Sequence, residues 1–401
     1  MLRPYRIAAL ICLLLFACNT PKNTGTTQQA NLPSPDSFRT ADLFFLSPDK
    51  QLLYYQNINR MLPTNEIEAG SKKFVLKEAF HDLSNFSFTY KDTVRSLNDF
   101  MNATKVVGII IIKNDSVLFE QYRNGTGATT KWINFSVAKS VTSLLYGAAF
   151  QDGYIQSLDE KVTQYIPELK GSVYDSVSLH NLLQMSSGVA WNENPRDTAS
   201  DLMKVGRMEK EKGWPGIAAY LSSLKRAAPP GTKFNYNTVE TSLAGMILRN
   251  IIRKPLSEYL SEKIWKPFGM HNNANWVKSR SIDMENGGCC ISATLRDYAL
   301  LGLFTMNNGI DLNGKQVLPA DWMQQSTTSA KSYKGYGYYW WLRPGGRYFA
   351  SGAFGQQIEI DPSQKTVIAI QSYWPVPFNN YYVGYMDSML EAMMTSLKSK
   401  L

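Results

Sequence analysis

Histidine is scarce, with three residues in a chain of 401. His81, His180 and His271 lie far apart and in no metal-ligand spacing, so a histidine-built metal centre is not expected. Cysteine is nearly as rare, with four in all. Cys12 and Cys18 fall at the N-terminus, which leaves Cys289 and Cys290 side by side. The ring that adjacent cysteines close is strained, so the expectation is two buried free thiols, with a vicinal redox pair as the other reading. There is no long Lys/Arg run to concentrate the net charge of +9, and a nucleic-acid surface is therefore not expected. A Gly-x-Ser-x-Gly elbow is missing, which argues against one common way of presenting a nucleophile. Gly125-Thr126-Gly127 is too short to cradle a phosphate, and no internal repeat is visible. No cofactor is expected.

What is present is a large apolar inventory. The chain is 44% hydrophobic and 19% charged, enough for one large domain or two smaller ones. At the start, Arg3 and Arg6 precede an apolar stretch from Ile7 to Ala17, too short for a membrane span and suited to a signal-peptide core. It ends Leu15-Phe16-Ala17-Cys18, which resembles a bacterial lipobox. That resemblance implies cleavage before Cys18, lipidation of its thiol and an exported, membrane-anchored lipoprotein on the periplasmic side. Residues 18–40, rich in Thr, Gln, Asn and Pro, read as a flexible tether. The resulting division is a signal peptide over 1–17, the tether, an N-terminal extension over 41–90, and a main domain over 91–401.

Within that domain, Thr93 to Thr104 has helical spacing. A β-branched run from Val106 to Ile112, a turn at Lys113-Asn114-Asp115 and Val117–Tyr122 read as a hairpin. Helical patterns follow at Ile217–Arg226, Val239–Ile252, Leu256–Lys266 and Ala293–Asn307. Strand character returns at Tyr336–Leu342, Arg347–Ser351, Gln356–Ile360 and Thr366–Tyr373, before a last helix near Tyr381–Leu397. Strands at both ends with helices between predict one discontinuous α/β domain. The early hairpin joins the late strands in an antiparallel sheet, with terminal helices on one face and the inserted, mainly helical part on the other.

The stretch that carries chemistry is Phe135-Ser136-Val137-Ala138-Lys139-Ser140. If Val137 to about Phe150 is a helix, Lys139 lies three residues after Ser136 on the same face. The helix N-terminal dipole and burial both disfavour an ammonium there, and a neutral lysine beside a serine hydroxyl can act as its base. Ser-x-x-Lys also occurs at Ser47-Lys50 and Ser222-Lys225, so the spacing alone is not decisive. Ser47 is followed by Pro48, and Ser222 sits near the end of a helical pattern. Only Ser136 has an apolar approach (Trp132, Ile133, Phe135) and a plausible buried helix after it. An ordinary helix with a serine cap is the alternative.

Further along, several segments combine with that stretch. They are Leu182-Leu183-Gln184-Met185-Ser186-Ser187-Gly188, Phe234-Asn235-Tyr236-Asn237-Thr238 with Leu243-Ala244-Gly245, and Gly287-Gly288 with Ser292-Ala293-Thr294 and Arg296-Asp297. Last come Ser351-Gly352-Ala353-Phe354-Gly355-Gln356 and Asp361-Pro362. In this order they resemble the serine β-lactamase-related hydrolases: class C β-lactamases, DD-peptidases, esterases of that fold and, most closely, the 6-aminohexanoate (nylon-oligomer) hydrolases. The resemblance implies a β-lactamase/transpeptidase-like fold and an acyl-enzyme mechanism. Ser136 would be nucleophile, Lys139 base and Tyr236 the second proton carrier. The oxyanion would be held by the Ser136 N–H and a strand N–H near Ala353, within a substrate strand that includes Ser351, Gly352 and Gln356. Trp191 and Glu193, after the Ser187-Gly188 loop, are candidate pocket residues, though an ordinary loop acid fits Glu193 as well.

Two departures bear on substrate. Class C enzymes carry Tyr-x-Asn, whereas position 238 is Thr, a further candidate pocket residue that cannot offer an amide donor. The Lys-Thr-Gly triplet of the family's active-site strand is missing, with Ala350-Ser351-Gly352 near its place and Arg343 and Arg347 close in sequence. The expectation is a hydrolase of small esters or linear amides, with a β-lactamase or DD-peptidase as the alternative. A lipid-anchored binding or sensor protein on the same fold is the competing class.

Overall fold

A computed structural model describes residues 32–399. Its centre is the strand Val106–Lys113, buried along its whole length. A strand covered on both faces needs no polar alternation, which is why this run reads as nearly pure Val and Ile. It pairs antiparallel with Ser116–Tyr122 on one side and with Thr366–Ser372 on the other, Ile111 opposite Ile368. Beyond Thr366–Ser372 come Gln356–Asp361, Tyr348–Gly352 and the short Trp341–Leu342, all antiparallel. Lys77–Glu78 adds a parallel edge against Ser116–Tyr122. The sheet thus unites the two ends of the chain, as the sequence leads one to expect.

Side chains of this sheet divide by strand alternation between two cores. Ile110, Ile112, Val367 and Ala369 face the inserted helices. Ile109, Ile111, Ile368 and Ile370 face the terminal part, where Met386, Met389, Leu390 and Met393 of the last helix, Asn380–Ser399, cover them. Leu43, Tyr55, Ile58, Met61 and Phe88 belong to this second core, whereas Ile67 joins the first, so residues 41–90 contribute to both. Phe38, in the stretch read as tether, is also buried and packs edge-on against Tyr54 at 5.5 Å. A smaller four-stranded sheet, in the order Thr64–Ile67, Ala274–Val277, Ile291–Ala293 and Trp132–Ile133, leads the chain into the Ser136 segment. Among the described residues no helix is long and apolar enough to cross a membrane.

Several elements depart from the sequence reading for local reasons. Thr93–Ser96 is a strand paired with Ser87–Tyr90, and the helix begins only at Leu97. Ser96 and Asp99 exchange the reciprocal bonds of a capping box there, which places the boundary inside the helical pattern. The helix expected at Ile217 starts at Asp201, capped by Ser200, and is broken at Gly213 with φ 59°. Of Tyr336–Leu342 only Trp341–Leu342 is strand, because Gly337 packs where a Cβ would lie 2.0 Å from the Ser326 carbonyl and Tyr339 turns through φ 60°. Leu256–Lys266 holds a short α-helix followed by a wider π turn over Ser261–Trp265. Cys289 and Cys290, expected as free thiols, are instead paired with each other, across a cis peptide with Cα atoms 3.2 Å apart.

Candidate active site

Ser136 reaches its position through a constrained backbone. Trp132 and Ile133 pair with Ala293 and Ser292, and Asn134 continues the tie, its N–H donating to Ile291 O and its Oδ1 accepting from Ile291 N, both at 2.8 Å. Phe135 then adopts a left-handed φ of 47°, unfavourable for a bulky residue. Tyr55 and Phe354 hold its ring at 5.1 and 5.2 Å. The helix Val137–Gln151 starts immediately afterwards, and Ser136, at its N-cap, makes no side-chain capping bond. Its hydroxyl is therefore not engaged in ordinary capping.

That hydroxyl meets Lys139, whose Nζ is 3.1 Å from Ser136 Oγ. Lys139 is 1% exposed and donates to the Gly288 carbonyl at 2.7 Å. Burial pulls its pKa down to about 7, with the Glu193 carboxylate acting in the opposite sense. About half of such lysines are neutral at pH 7, against fewer than ~1 in 10³ for an ordinary one. Gly287 and Gly288 are required for this anchor. A Cβ on Gly288 would lie 2.7 Å from the Thr238 carbonyl, and one on Gly287 would lie 2.6 Å from the Thr241 carbonyl.

Tyr236 comes from the turn before the helix Thr238–Ile252, which Asn237 caps by accepting from Glu240 N. Its ring lies 5.0 Å from Lys139 Nζ. Burial raises the phenol's pKa, the Ser136 hydroxyl lowers it, and Glu193 raises it. A phenolate is thus disfavoured, and the resting group is a neutral phenol. Trp341 stacks on Tyr236 at 6.1 Å, and Phe349, its partner across the sheet, stacks on Trp341 at 6.2 Å.

Thr238, Trp191 and Glu193 also come together here. Glu193 accepts from Trp191 Nε1 at 2.5 Å, from Thr238 N at 3.2 Å and from Thr238 Oγ1. The strand Tyr348–Gly352 borders the same site. Its half-buried residues, Phe349 and Ser351, share one face, and Phe349 contacts Trp341. Gly352 lies against the Asn134 peptide, where a Cβ would sit 2.1 Å from the carbonyl oxygen, so Ala353 follows close to the Ser136 segment. Gln356 does something else: its amide bonds across to Ser372, donating to O at 2.7 Å and accepting from N at 3.2 Å. It fastens the strand rather than lining an opening.

Arg343 and Arg347 are both engaged by acids. Arg343 lies 2.8 Å from Glu359 and 2.6 Å from Asp387, and Arg347 pairs with Glu391. Neither offers a free charge to a ligand. The other Ser-x-x-Lys serines have local roles, Ser47 at the start of the helix Pro48–Tyr55 and Ser222 donating to Glu168 O. Cys18 lies outside the described residues. Among the described residues no group of three His, Cys, Asp or Glu side chains could hold a metal ion.

Two groups escaped sequence reasoning. The Gly288 carbonyl is a backbone atom, and only the paired glycines hinted at a close approach. Glu240 is fully buried, accepts from Tyr174 at 3.3 Å, and has its pKa pushed up to about 7 by burial. In sequence it looks like an ordinary acid in a helix's first turn, which hides it.

A serine hydroxyl, a buried amine of near-neutral pKa, a neutral phenol and a strand end form the set that acyl transfer requires. Comparison with known proteins gives the family. The β-lactamase family profile matches residues 94–380. The 6-aminohexanoate-dimer hydrolase of Paenarthrobacter ureafaciens is 27% identical over 315 residues, covering 73% of this chain and 79% of that protein. Among solved structures, a Bacillus anthracis protein described as a 6-aminohexanoate-dimer hydrolase superposes with a TM-score of 0.76 at 24% identity, covering 87% of this chain and 94% of its own. A class C β-lactamase superposes with a TM-score of 0.54 at 18% identity, covering 75% and 94%, a likeness of fold.

Proposed function

Because the chain belongs to the β-lactamase family, we propose that it is a serine hydrolase that forms an acyl-enzyme on Ser136 and cleaves carboxylic esters or linear amides, in the manner of a 6-aminohexanoate-oligomer hydrolase. One observation carries the reading: Lys139 Nζ stands 3.1 Å from Ser136 Oγ while burial holds its pKa near 7. Lys139 takes the serine proton, and Ser136 attacks the substrate carbonyl. Tyr236, a neutral phenol beside both groups, passes a proton to the leaving group. The Ser136 N–H and the backbone at Ala353 hold the oxyanion, each such donor being worth about 10²–10³ in rate. The test is a fluorophosphonate label together with a panel of aryl esters, short amides, 6-aminohexanoate oligomers and β-lactams. Labelling and turnover should both vanish in Ser136→Ala. Labelling that persists in that variant moves the nucleophile elsewhere.

A β-lactamase or DD-peptidase is the second reading, favoured by the family match. Thr238 in place of an Asn and the ion pairs that occupy Arg343 and Arg347 weigh against it, because a β-lactam or D-Ala-D-Ala carries its carboxylate on the carbon next to the scissile nitrogen and needs a cation beside the reacting bond, whereas a 6-aminohexanoate oligomer carries its own five methylenes away. A binding protein has no need of Ser136, Lys139 and Tyr236 together. For location we propose a lipoprotein anchored through Cys18 on the periplasmic side, supported by the Leu15-Phe16-Ala17-Cys18 signal. Cys18→Ser should leave the membrane fraction, and equal fractionation of both forms would reject the anchor.

A further inference from the structure

The acyl-transfer steps above assign no task to Glu193, yet its carboxylate is the most heavily bonded group of the site. Trp191 Nε1, Thr238 N and Thr238 Oγ1 all donate to it. Three donors and no acceptor favour the ionised form, opposing the burial that raises its pKa. Thr238 follows Tyr236 by two residues, so these bonds fasten the loop after Gly188 to the turn that carries the phenol. Asn235 Nδ2 adds a second tie by donating to Trp191 O at 3.2 Å.

The charged and titratable surroundings are few. Lys139 faces Ser136 on its own helix, Tyr236 from the neighbouring turn, the Gly288 carbonyl and Glu193. Glu193 faces Lys139, Tyr236 and, from the helix Thr238–Ile252, Glu240, whose proton affinity it raises. Tyr336 and Tyr339 close the cluster behind Tyr236.

We propose that Glu193 is a positioning residue, holding the Tyr236 turn in register and serving as the fixed counter-charge to the ammonium formed on Lys139 during acylation. This rests on the acyl-transfer reading of Ser136. In that step the Lys139 lone pair takes the Ser136 proton as Oγ bonds to the carbonyl carbon, and the π pair moves to the carbonyl oxygen. Lys139 is then an ammonium in a buried place. On collapse the carbonyl re-forms and the leaving group departs with its bonding pair. It takes a proton from the Tyr236 hydroxyl, and Tyr236 takes one from Lys139. Glu193 exchanges no proton. Its charge stabilises the interval in which Lys139 is cationic.

The sign of the effect is testable. Activity needs neutral Lys139, so kcat/KM rises with pH through that group's pKa. The Glu193 charge raises that pKa, and removing it moves the acid limb to lower pH. With p-nitrophenyl acetate, Glu193→Gln and Glu193→Ala should each shift the limb down by about half a unit or more and lower the plateau about tenfold. Glu193→Asp should keep the limb in place. In a Ser136→Ala background, NMR titration of the Lys139 ε-methylene should move in the same direction when Glu193→Gln is added. A lower plateau with unmoved limb and unmoved lysine titration makes Glu193 a loop fastener only and overturns the proposal. If the parent cleaves no ester and takes no fluorophosphonate, the acyl-transfer reading fails, while the lysine titration still decides whether Glu193 sets the charge.

Discussion

At the scale of single residues, the site is governed by burial working against charge. Lys139 is an amine that water would hold protonated at neutral pH, placed where it is held near pH 7. That placement has a stability consequence whose sign follows from linkage. The unfolded chain protonates this lysine below about pH 10.4, whereas the folded chain does so only below about pH 7. Between those limits the unfolded state binds the extra proton, so this term makes stability rise with pH. Lys139→Met removes the group with little change in volume. It should be more stable than the parent by on the order of a few kcal/mol at pH 6, with the gap narrowing towards pH 10. Denaturant melts at both pH values would check this, and a gap that widens with pH would contradict it. Tyr236→Phe makes a different distinction. An amide leaves as a poor leaving group that needs the phenol's proton, whereas an activated aryl ester does not. Amide cleavage should therefore fall about 10²-fold or more and aryl-ester cleavage much less. Equal losses on both substrates would remove Tyr236 from proton delivery.

At the scale of elements, glycines set the distances between segments that meet at the site. Gly288 lets its loop pass the start of the helix Thr238–Ile252 closely enough to present a carbonyl to Lys139. Gly288→Ala would place a methyl 2.7 Å from the Thr238 carbonyl and 2.9 Å from its Cγ2. We expect a loss of about 1–3 kcal/mol in stability and at least a tenfold slower labelling of Ser136. A parent-like labelling rate would mean that the Gly288 carbonyl does not hold the amine. These elements were unevenly legible in the sequence. The strand Val106–Lys113 stands out because burial on both faces leaves an almost unbroken apolar run, and the helix Val137–Gln151 because small and apolar residues dominate it, with Lys139, Ser140, Thr142 and Ser143 as its buried polar exceptions. The boundary at Ser96 was hidden because its capping box lies inside a pattern that is periodic on both sides. The stretch before Trp341 reads as a strand from its aromatics, but those rings are buried by a turn at Tyr339, and composition does not distinguish the two. Glu193 reads equally as a pocket residue or as an ordinary loop acid, because its partners, Thr238 and Lys139, are far away in the chain.

At the scale of the molecule, the sheet joins the chain's two ends and seats the Ser136 helix on one face and the Asn380–Ser399 helix on the other. Arg343 and Arg347 belong to that second contact, and this decides what the site can recognise. From sequence they were the nearest cations to the missing Lys-Thr-Gly triplet, and either could have replaced its charge. In the fold, Arg343 links the strand Gln356–Asp361 through Glu359 to the last helix through Asp387, and Arg347 pairs with Glu391 on that same helix. Removing Arg343 leaves Glu359, which is 0% exposed, without its cation. Breaking a buried pair from one side costs about 3–5 kcal/mol. Arg343→Met should therefore lower stability by a large fraction of that amount while the ratio of aryl-ester to cephalosporin turnover stays as in the parent. That ratio should itself be high. A site built to hydrogen-bond and pair a substrate group rejects analogues that lack it far more strongly than a pocket rejects a methylene, and a site lacking such groups gains nothing from a substrate's carboxylate. Nucleophile, amine and phenol are all in place here, so acylation should proceed on neutral esters, with short linear amides slower and cephalosporins slowest. Steady-state kinetics on the three classes, run in parallel on the parent and Arg343→Met, would settle the matter. Fast cephalosporin turnover without ester cleavage, lost in Arg343→Met, would mean that the arginine leaves Glu359 and Asp387 to bind substrate.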